Sequence, residues 1–500
     1  MSAEPKTSAL SGGRWLVLLT VIIGTFLGRL DGTIVNLAMP KMIGDFGVSV
    51  STAGWIATAY ILANAIFVPI WGKLGDTVGR KKIYILGFAG FIFGSVLAAF
   101  AWNFSSMIVF RVIQAIAGSA DYPTAMAILA VTFPQGKERA QALGLWSASF
   151  AAAAVFGPLI GGPLVDNFGW RSIFLINLPV GAIGVLMAMA FVKESVSEKK
   201  TVNFDIWGAI TLGASLASLV LVLDKGNDWG WLSVSSWACY LAVLVTGFIF
   251  VRIEQRTAEP IIDLRFFRNA VFVNTAFNNF VVFMGMMGSM FLLPVFVQTF
   301  LGYSASQTGL VFMPMAAGMM LASPLGGALV GKVQPRYVLF ASTAVAGLGI
   351  FMFSFLDPKS GIGDIILPLM IMAFGMGFGM AQRTNLVTAA VPVSEVGVAS
   401  SILALVRNIA GAFGIAIFGS VLSNATENRL LDIAKYSVIN TGSPMLNGEF
   451  RALIILKAQI TSFSTVYAVS AAVVLVGAFL ALRINIPKDR ELGKIEGPIE

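Results

Sequence analysis

The first residue type that could do chemistry is a carboxylate in an apolar run. Asp31 lies in Leu30-Asp31-Gly32-Thr33-Ile34-Val35-Asn36-Leu37-Ala38-Met39-Pro40, with Arg29 beside it. A charge deep in hydrocarbon costs several kcal/mol unless it is paired or hydrated, so such a residue is a functional-site candidate by default. Two more stand together further on. Arg111 begins Arg111-Val112-Ile113-Gln114-Ala115-Ile116-Ala117-Gly118, and Asp121 follows in Gly118-Ser119-Ala120-Asp121-Tyr122-Pro123. The C-terminal half has no Asp or Glu in its apolar runs, only Arg383 and Arg407. Histidine is absent and Cys239 is the only cysteine, so a thiol or imidazole metal site and a disulfide framework are excluded. Proton handling falls to carboxylates. No metal or cofactor is expected.

Elements that could hold these charges follow from composition. Of 500 residues, 57% are hydrophobic and 12% charged, and the mean hydropathy is +0.85. Apolar runs of about 20 residues recur along the chain, each long enough to cross a bilayer core. The expected fold is an all-α polytopic membrane protein with fourteen spans. They run near 15–40, 52–71, 83–102, 105–133, 140–165, 170–192, 204–223, 233–251, 271–300, 308–330, 337–356, 365–390, 396–423 and 460–482. The net charge of +8 comes from basic residues clustered in short loops on one face, among them Lys73, Arg80, Lys137, Lys193, Arg252, Arg265 and Arg336. That bias puts both termini in the cytoplasm of a cell (inner) membrane and calls for no nucleic acid. Residues 424–459 then form an external loop, a spacer, plug or surface-lying hairpin.

A shift of 255 residues aligns Gly54 with Gly309, Pro69 with Pro324, Gly72 with Gly327 and Lys81 with Arg336. The repeat predicts a six-helix half over 1–200, two inserted helices over 201–262 and a second six-helix half over 263–500. Such repeats put a substrate site near the membrane midplane, at the seam of the halves.

Between spans 2 and 3 stands Gly72-Lys73-Leu74-Gly75-Asp76-Thr77-Val78-Gly79-Arg80-Lys81-Lys82. Its glycines allow tight turns and its charges an ion-pair lattice. This loop resembles the signature loop of the major facilitator superfamily. Leu30–Pro40 and Arg111–Gly118 resemble motifs of its drug:proton antiporters, and Gly157-Pro158-Leu159-Ile160-Gly161-Gly162-Pro163 resembles their antiporter motif. Asn227-Asp228-Trp229-Gly230-Trp231 and Leu293-Pro294-Val295-Phe296-Val297-Gln298 are similar to the fourteen-helix branch of the EmrB/QacA kind.

The resemblance implies proton-coupled multidrug efflux by alternating access and no enzyme activity. Asp31 would take and release the coupling proton, with Arg111 as its partner. Counting 1.5 Å per residue, the two lie about 14 and about 9 Å from the outer ends of their spans, at similar depth. Arg29 and Asp121 depart from the family pattern. Asp121 is a second proton site, an anchor for cationic substrate, or a polar residue bonded to a neighbour; Arg29 is a counter-charge or an anion contact. Their depths, about 24 and 16 Å, leave a direct bond open. Asn36, Gln114 and Arg407 would line the cavity. Gly72, Gly75, Asp76, Gly79, Arg80 and Lys81 would form a cytoplasmic gate, with the helix start near Ser394 as acceptor.

Gly157, Gly161 and Gly162 would let span 5 pack closely on the other half, and Pro158 and Pro163 would bend it. Tyr60, Asn278, Phe283, Met284, Met287 and Gln298 are substrate-site candidates, since thioethers and aromatics suit promiscuous lipophilic binding. Gly326–Val333 resembles a phosphate-binding loop but ends in Val333 and lacks a preceding strand. ATP is therefore not expected as the energy source. The partners are then protons, a small lipophilic substrate and the bilayer, with a periplasmic adaptor left open, and a monomer suffices. An exporter or flippase of lipids or anionic amphiphiles is the alternative on the same fold; a non-transporting sensor is a further one.

Overall fold

The computed structural model describes residues 8–133, 137–195, 205–257, 260–262, 264–330, 332–389, 396–436 and 444–484. Their regular elements are all helical, as a hydrocarbon solvent demands of backbone groups that find no water. In chain order they are α1 (Ser8–Phe46), α2 (Val50–Ala53), α3 (Trp55–Val78), α4 (Arg80–Ala99), α5 (Phe104–Gly118), α6 (Asp121–Thr132), α7 (Lys137–Phe168), α8 (Ser172–Leu175) and α9 (Asn177–Phe191). Then follow α10 (Ile206–Trp229), α11 (Val234–Glu254), α12 (Ala270–Phe300), α13 (Ala305–Gly327), α14 (Pro335–Met352), α15 (Ile362–Ala389), α16 (Val396–Tyr436) and α17 (Pro444–Ala481).

Among the described residues, twelve helices are long and apolar enough to cross a membrane. The other two expected spans fall on α5 with α6, and on α7. The span expected over 105–133 is broken at Ser119–Ala120. Pro123 accounts for the break at its i−4 position: it has no N–H to give the Ser119 carbonyl. The segment 424–459, expected to be an external loop, is helical over 424–436 and 444–459 and continues α16 and α17. Nothing between Asn424 and Tyr436 is Gly or Pro, whereas Pro444 starts α17 at the position where its missing N–H costs nothing.

The chain forms two compact units. One comprises Met1–Phe46, Ala59–Gly213 and Ile249–Ile261; the other comprises Gly47–Thr58, Ala214–Phe248 and Ile262–Glu500. In the first, α4 lies against α5 along Gly87, Gly90 and Gly94. A Cβ on Gly90 would meet that of Ala117 at 2.8 Å, and one on Gly94 would meet Gln114 Cα at 2.6 Å. This approach brings Ser95 to Gln114. In the second, α12 is buried along most of its length, and α15 presses Gly375 on Ala346 and Gly379 on Ser342 of α14. Also within this unit, the buried carboxylate of Asp224, toward the end of α10, accepts from Trp55 Nε1 at 2.7 Å and from Ser51 Oγ. By contrast α11 turns Leu241, Leu244 and Phe248 outward, as a lipid-facing helix does.

Replacing Gly94 by Val forces branched methyls onto the α5 backbone and is expected to cost about 1–3 kcal/mol. Thermal unfolding of the purified protein checks this. Gly28→Ala, where a Cβ meets nothing within 4 Å, is expected to unfold no earlier than wild type.

Candidate functional site

Asp31 sits midway along α1 and is 2% exposed. Its Oδ2 accepts from Arg111 Nη1 of α5 at 2.7 Å, and the guanidinium is equally buried. Its Oδ1 accepts from Gln114 Nε2 at 3.0 Å and from Asn177 Nδ2 of α9 at 3.2 Å. Both amides also donate to Ser95 Oγ of α4, at 2.6 and 3.0 Å, while Gln114 Oε1 accepts from Arg111. The network therefore draws on α1, α4, α5 and α9. Arg111 Cζ lies 4.1 Å from the Tyr60 ring centre and 5.6 Å from that of Phe174, a cation–π setting that does not depend on the carboxylate. Asn36 is half-buried on the same helix, and among the described residues no bond joins it to Asp31. Tyr60, expected in a substrate site, lies against Arg111.

Asp121 belongs to a different cluster. It opens α6 just past the break, and its Oδ2 accepts from Thr25 Oγ1 at 2.9 Å, which in turn accepts from Trp146 Nε1 at 2.9 Å. Oδ1 is buried and has no hydrogen-bond partner among the described residues. Arg29 is exposed on α1, close enough for its charge to act on both Asp121 and Tyr60.

The signature loop joins α3 to α4. Gly72 and Gly75 face Pro123 and Thr124 of α6, where a Cβ would come within 3.3 and 3.2 Å. Gly79 has φ +123°, a conformation L side chains avoid, and a Cβ there would meet the Glu194 carboxyl at 2.7 Å. Glu194, absent from the expected gate, accepts from the N–H groups of Lys81 at 3.0 Å and Lys82 at 3.2 Å, capping α4 with a negative charge at its positive end. Arg80 N–H donates to Ser195 O at 3.1 Å, and Lys81 Nζ to Met189 O at 2.7 Å. The side chain of Asp76 and the whole of Ser394 lie outside the described residues.

The expectation that the α7 glycines face the other half is corrected for two of them. A Cβ on Gly157 would collide with Thr33 Oγ1, and one on Gly161 would meet Ile34 Cγ2 at 2.7 Å, so both let α7 close on α1 within one unit. Their position beside Asp31 explains the need: α7 must approach the turn that follows the carboxylate. Gly162 and Pro158 are buried and Pro163 is exposed, all within the continuous α7.

In the second unit, Arg383 of α15 is 2% exposed. Its Nε donates to Asn278 Oδ1 at 3.0 Å and its Nη2 to Thr343 Oγ1 at 3.1 Å and Ser342 Oγ at 3.4 Å. Asn278 also donates to Thr343 Oγ1 and Gly477 O, both at 3.2 Å, so it is part of this hub. A narrow cleft beside it, with a volume of about 20 Å³, is lined by Phe283 and Arg407 but not by Met284, Met287 or Gln298. Met284 is buried with its backbone against Gly414. The cleft's thioethers come from Met319, Met376 and Met380 on α13 and α15, not from the α12 cluster.

Sequence reasoning missed Asn177, Ser95 and Glu194. An amide inside an apolar run was the available signal for Asn177; nothing distinguished Ser95 from other serines.

Comparisons with known proteins agree with this architecture. The family model described as Major Facilitator Superfamily matches residues 21–415. The chain is 35% identical over 433 residues to the multidrug transporter protein MdtP of Bacillus subtilis (strain 168), spanning 86% of this chain and 79% of that one. It is 30% identical over 421 residues to the probable multidrug resistance protein EmrY of Escherichia coli (strain K12), spanning 83% and 82%. A crystal structure of a bacterial homologue of the human lysosomal transporter Spinster, inward-facing and unoccupied, has the same fold, with a TM-score of 0.67 at 18% identity over 97% of this chain and 100% of that one.

Removing one partner of a buried ion pair typically costs about 3–5 kcal/mol. Arg111→Leu is therefore expected to lower the thermal midpoint sharply, and Arg111→Leu with Asp31→Asn to recover most of the loss. A double variant as unstable as Arg111→Leu would mean that the pair is not what Arg111 stabilises.

Proposed function

The chain belongs to the major facilitator superfamily, a family of transporters and not of enzymes, and we propose that it exports lipophilic compounds in exchange for protons by alternating access. Relatives named multidrug transporters at about a third identity support the efflux part of this reading. The observation that carries the proton part is the buried Asp31–Arg111 pair. Asp31 Oδ1 already accepts from two amide N–H groups, so a proton arrives on Oδ2, where it weakens the bond to Arg111 Nη1. The Tyr60 and Phe174 rings then keep the guanidinium in place, and the neutral acid removes the ionic tie between α1 and α5.

Loss of that tie is the event that would let the outward and inward states exchange. Asp121, with a buried oxygen that lacks a described partner, serves as a second proton site. Basic loops support cytoplasmic termini in a cell membrane, and the fourteen-helix arrangement of two halves with an inserted pair remains the topology of choice. The major facilitator site needs no second copy, so a monomer is the working unit. A charge moved through 100 mV is worth about 2.3 kcal/mol, about a 50-fold concentration ratio, so a proton or two per cycle supports useful efflux.

Proteoliposomes with an imposed pH gradient test this with neutral and cationic dyes. Wild type is expected to move dye only with the gradient, and Asp31→Asn to abolish the gradient-dependent part. Asp121→Asn is expected to reduce the protons moved per dye. Gradient-dependent flux that survives Asp31→Asn would sink the mechanism.

A further inference from the structure

The hub around Arg383 has an electrostatic imbalance that the proton site does not explain. Arg383 is almost fully buried, yet its partners among the described residues are the neutral Asn278, Ser342 and Thr343. Those bonds occupy Nε and Nη2. Its Nη1 edge takes part in none of them and lies at the close approach of Gly379, where a Cβ would sit 2.7 Å from it. The adjoining cleft is lined by Arg383, Arg407, Asn279 and Thr384, with Phe283 and Met319 among its apolar wall. Among the described residues no carboxylate lines it. Asn279 is 2% exposed, and its Nδ2 is buried without a hydrogen-bond partner among the described residues.

A buried guanidinium is stabilised by an anion that accepts its N–H groups, and arginine's planar fork matches the oxygens of carboxylate and phosphate. A buried amide N–H left without an acceptor points the same way, because burying a donor unsatisfied is costly. Arg407, half-buried and with its guanidinium 5.6 Å from the Phe283 ring centre, adds a second positive charge beside an aromatic face. The cleft lining therefore combines two guanidinium groups and an amide donor with thioethers and a ring.

We propose that this cleft binds the anionic oxygens of an amphiphile, a carboxylate or phosphate group carried on an apolar body. Arg383, Arg407 and Asn279 receive the charged end, and Phe283 with the methionines receives the apolar end. The proposal rests on the export reading for its direction of transport, although binding itself does not. Outward movement of an anion and inward movement of a proton both carry positive charge inward, so transport of such a substrate responds to membrane potential as well as to the pH gradient.

The test uses the full chain in nanodiscs of phosphatidylcholine, with pyrenebutyrate and its neutral counterpart pyrenebutanol as probes. Wild type is expected to bind pyrenebutyrate about tenfold tighter or more, the gain of a charge-assisted bond. Arg407→Gln and Asn279→Ala are expected to shrink that preference severalfold while leaving pyrenebutanol affinity alone. Lys359→Gln removes an exposed charge elsewhere in the same unit and is expected to change nothing. Arg383→Lys keeps the charge but not the fork, and is expected to bind with intermediate preference. Thermal midpoints confirm that each variant is folded.

Equal affinity for the two probes, or a preference unchanged in both Arg407→Gln and Arg383→Lys, overturns the proposal and leaves Arg383 as a structural hub. Repeating the titration with phosphatidylglycerol in the disc separates the sources of the anion. Displacement of pyrenebutyrate identifies a lipid headgroup, and undiminished binding identifies a free amphiphile. A preserved preference in a protein that shows no gradient-driven flux would refute proton-coupled export while leaving this site standing.

Discussion

A charge inside hydrocarbon has to be answered by something local, and that constraint organises this molecule. Water cannot answer it, and at low dielectric an isolated charge is far costlier than at a surface. The first unit answers Asp31 with Arg111 and then uses the amides of Gln114 and Asn177 to fill the remaining acceptor positions. The result draws on four helices, so any event that neutralises the carboxylate is felt by all of them. The buried ion pair and the packing of the four helices share the same bonds.

The two units answer their buried charges differently. In the first, an acid and a base meet. In the second, Arg383 is surrounded by an amide and hydroxyls among the described residues. A pair is self-sufficient and can be switched by a proton. A guanidinium held by neutral groups cannot be switched that way, and it keeps its attraction for an anion. The two units thus hold their buried arginines by different means, one against a carboxylate and the other against neutral groups.

Close packing makes both arrangements possible. Gly94 lets α4 approach α5 so that Ser95 reaches Gln114, and Gly379 leaves room for the Arg383 guanidinium beside Ser342. Gly157 and Gly161 do the same for α7 on α1. Without a strong hydrophobic drive between helices in lipid, such backbone approach is a main source of specificity. The glycines of the chain are thus part of the sites, although none of them touches a proton or a substrate.

The sequence by itself determined the class of fold, most of the helices and the pairing of Asp31 with Arg111. Apolar runs long enough to span, basic loops on one face and an acid at the depth of an arginine are one-dimensional patterns, and hydrocarbon leaves few ways to satisfy them. Tertiary structure alone decided which amides complete the Asp31 shell, since Asn177 is remote in sequence and only the α9 packing brings it there. It also decided that Glu194 caps the signature loop, that Asp121 joins Thr25 and Trp146, and that the cleft methionines come from α13 and α15. The rotation of a helix about its axis fixes such neighbours. That rotation is set by the sum of contacts along a whole helix, which a local motif does not contain.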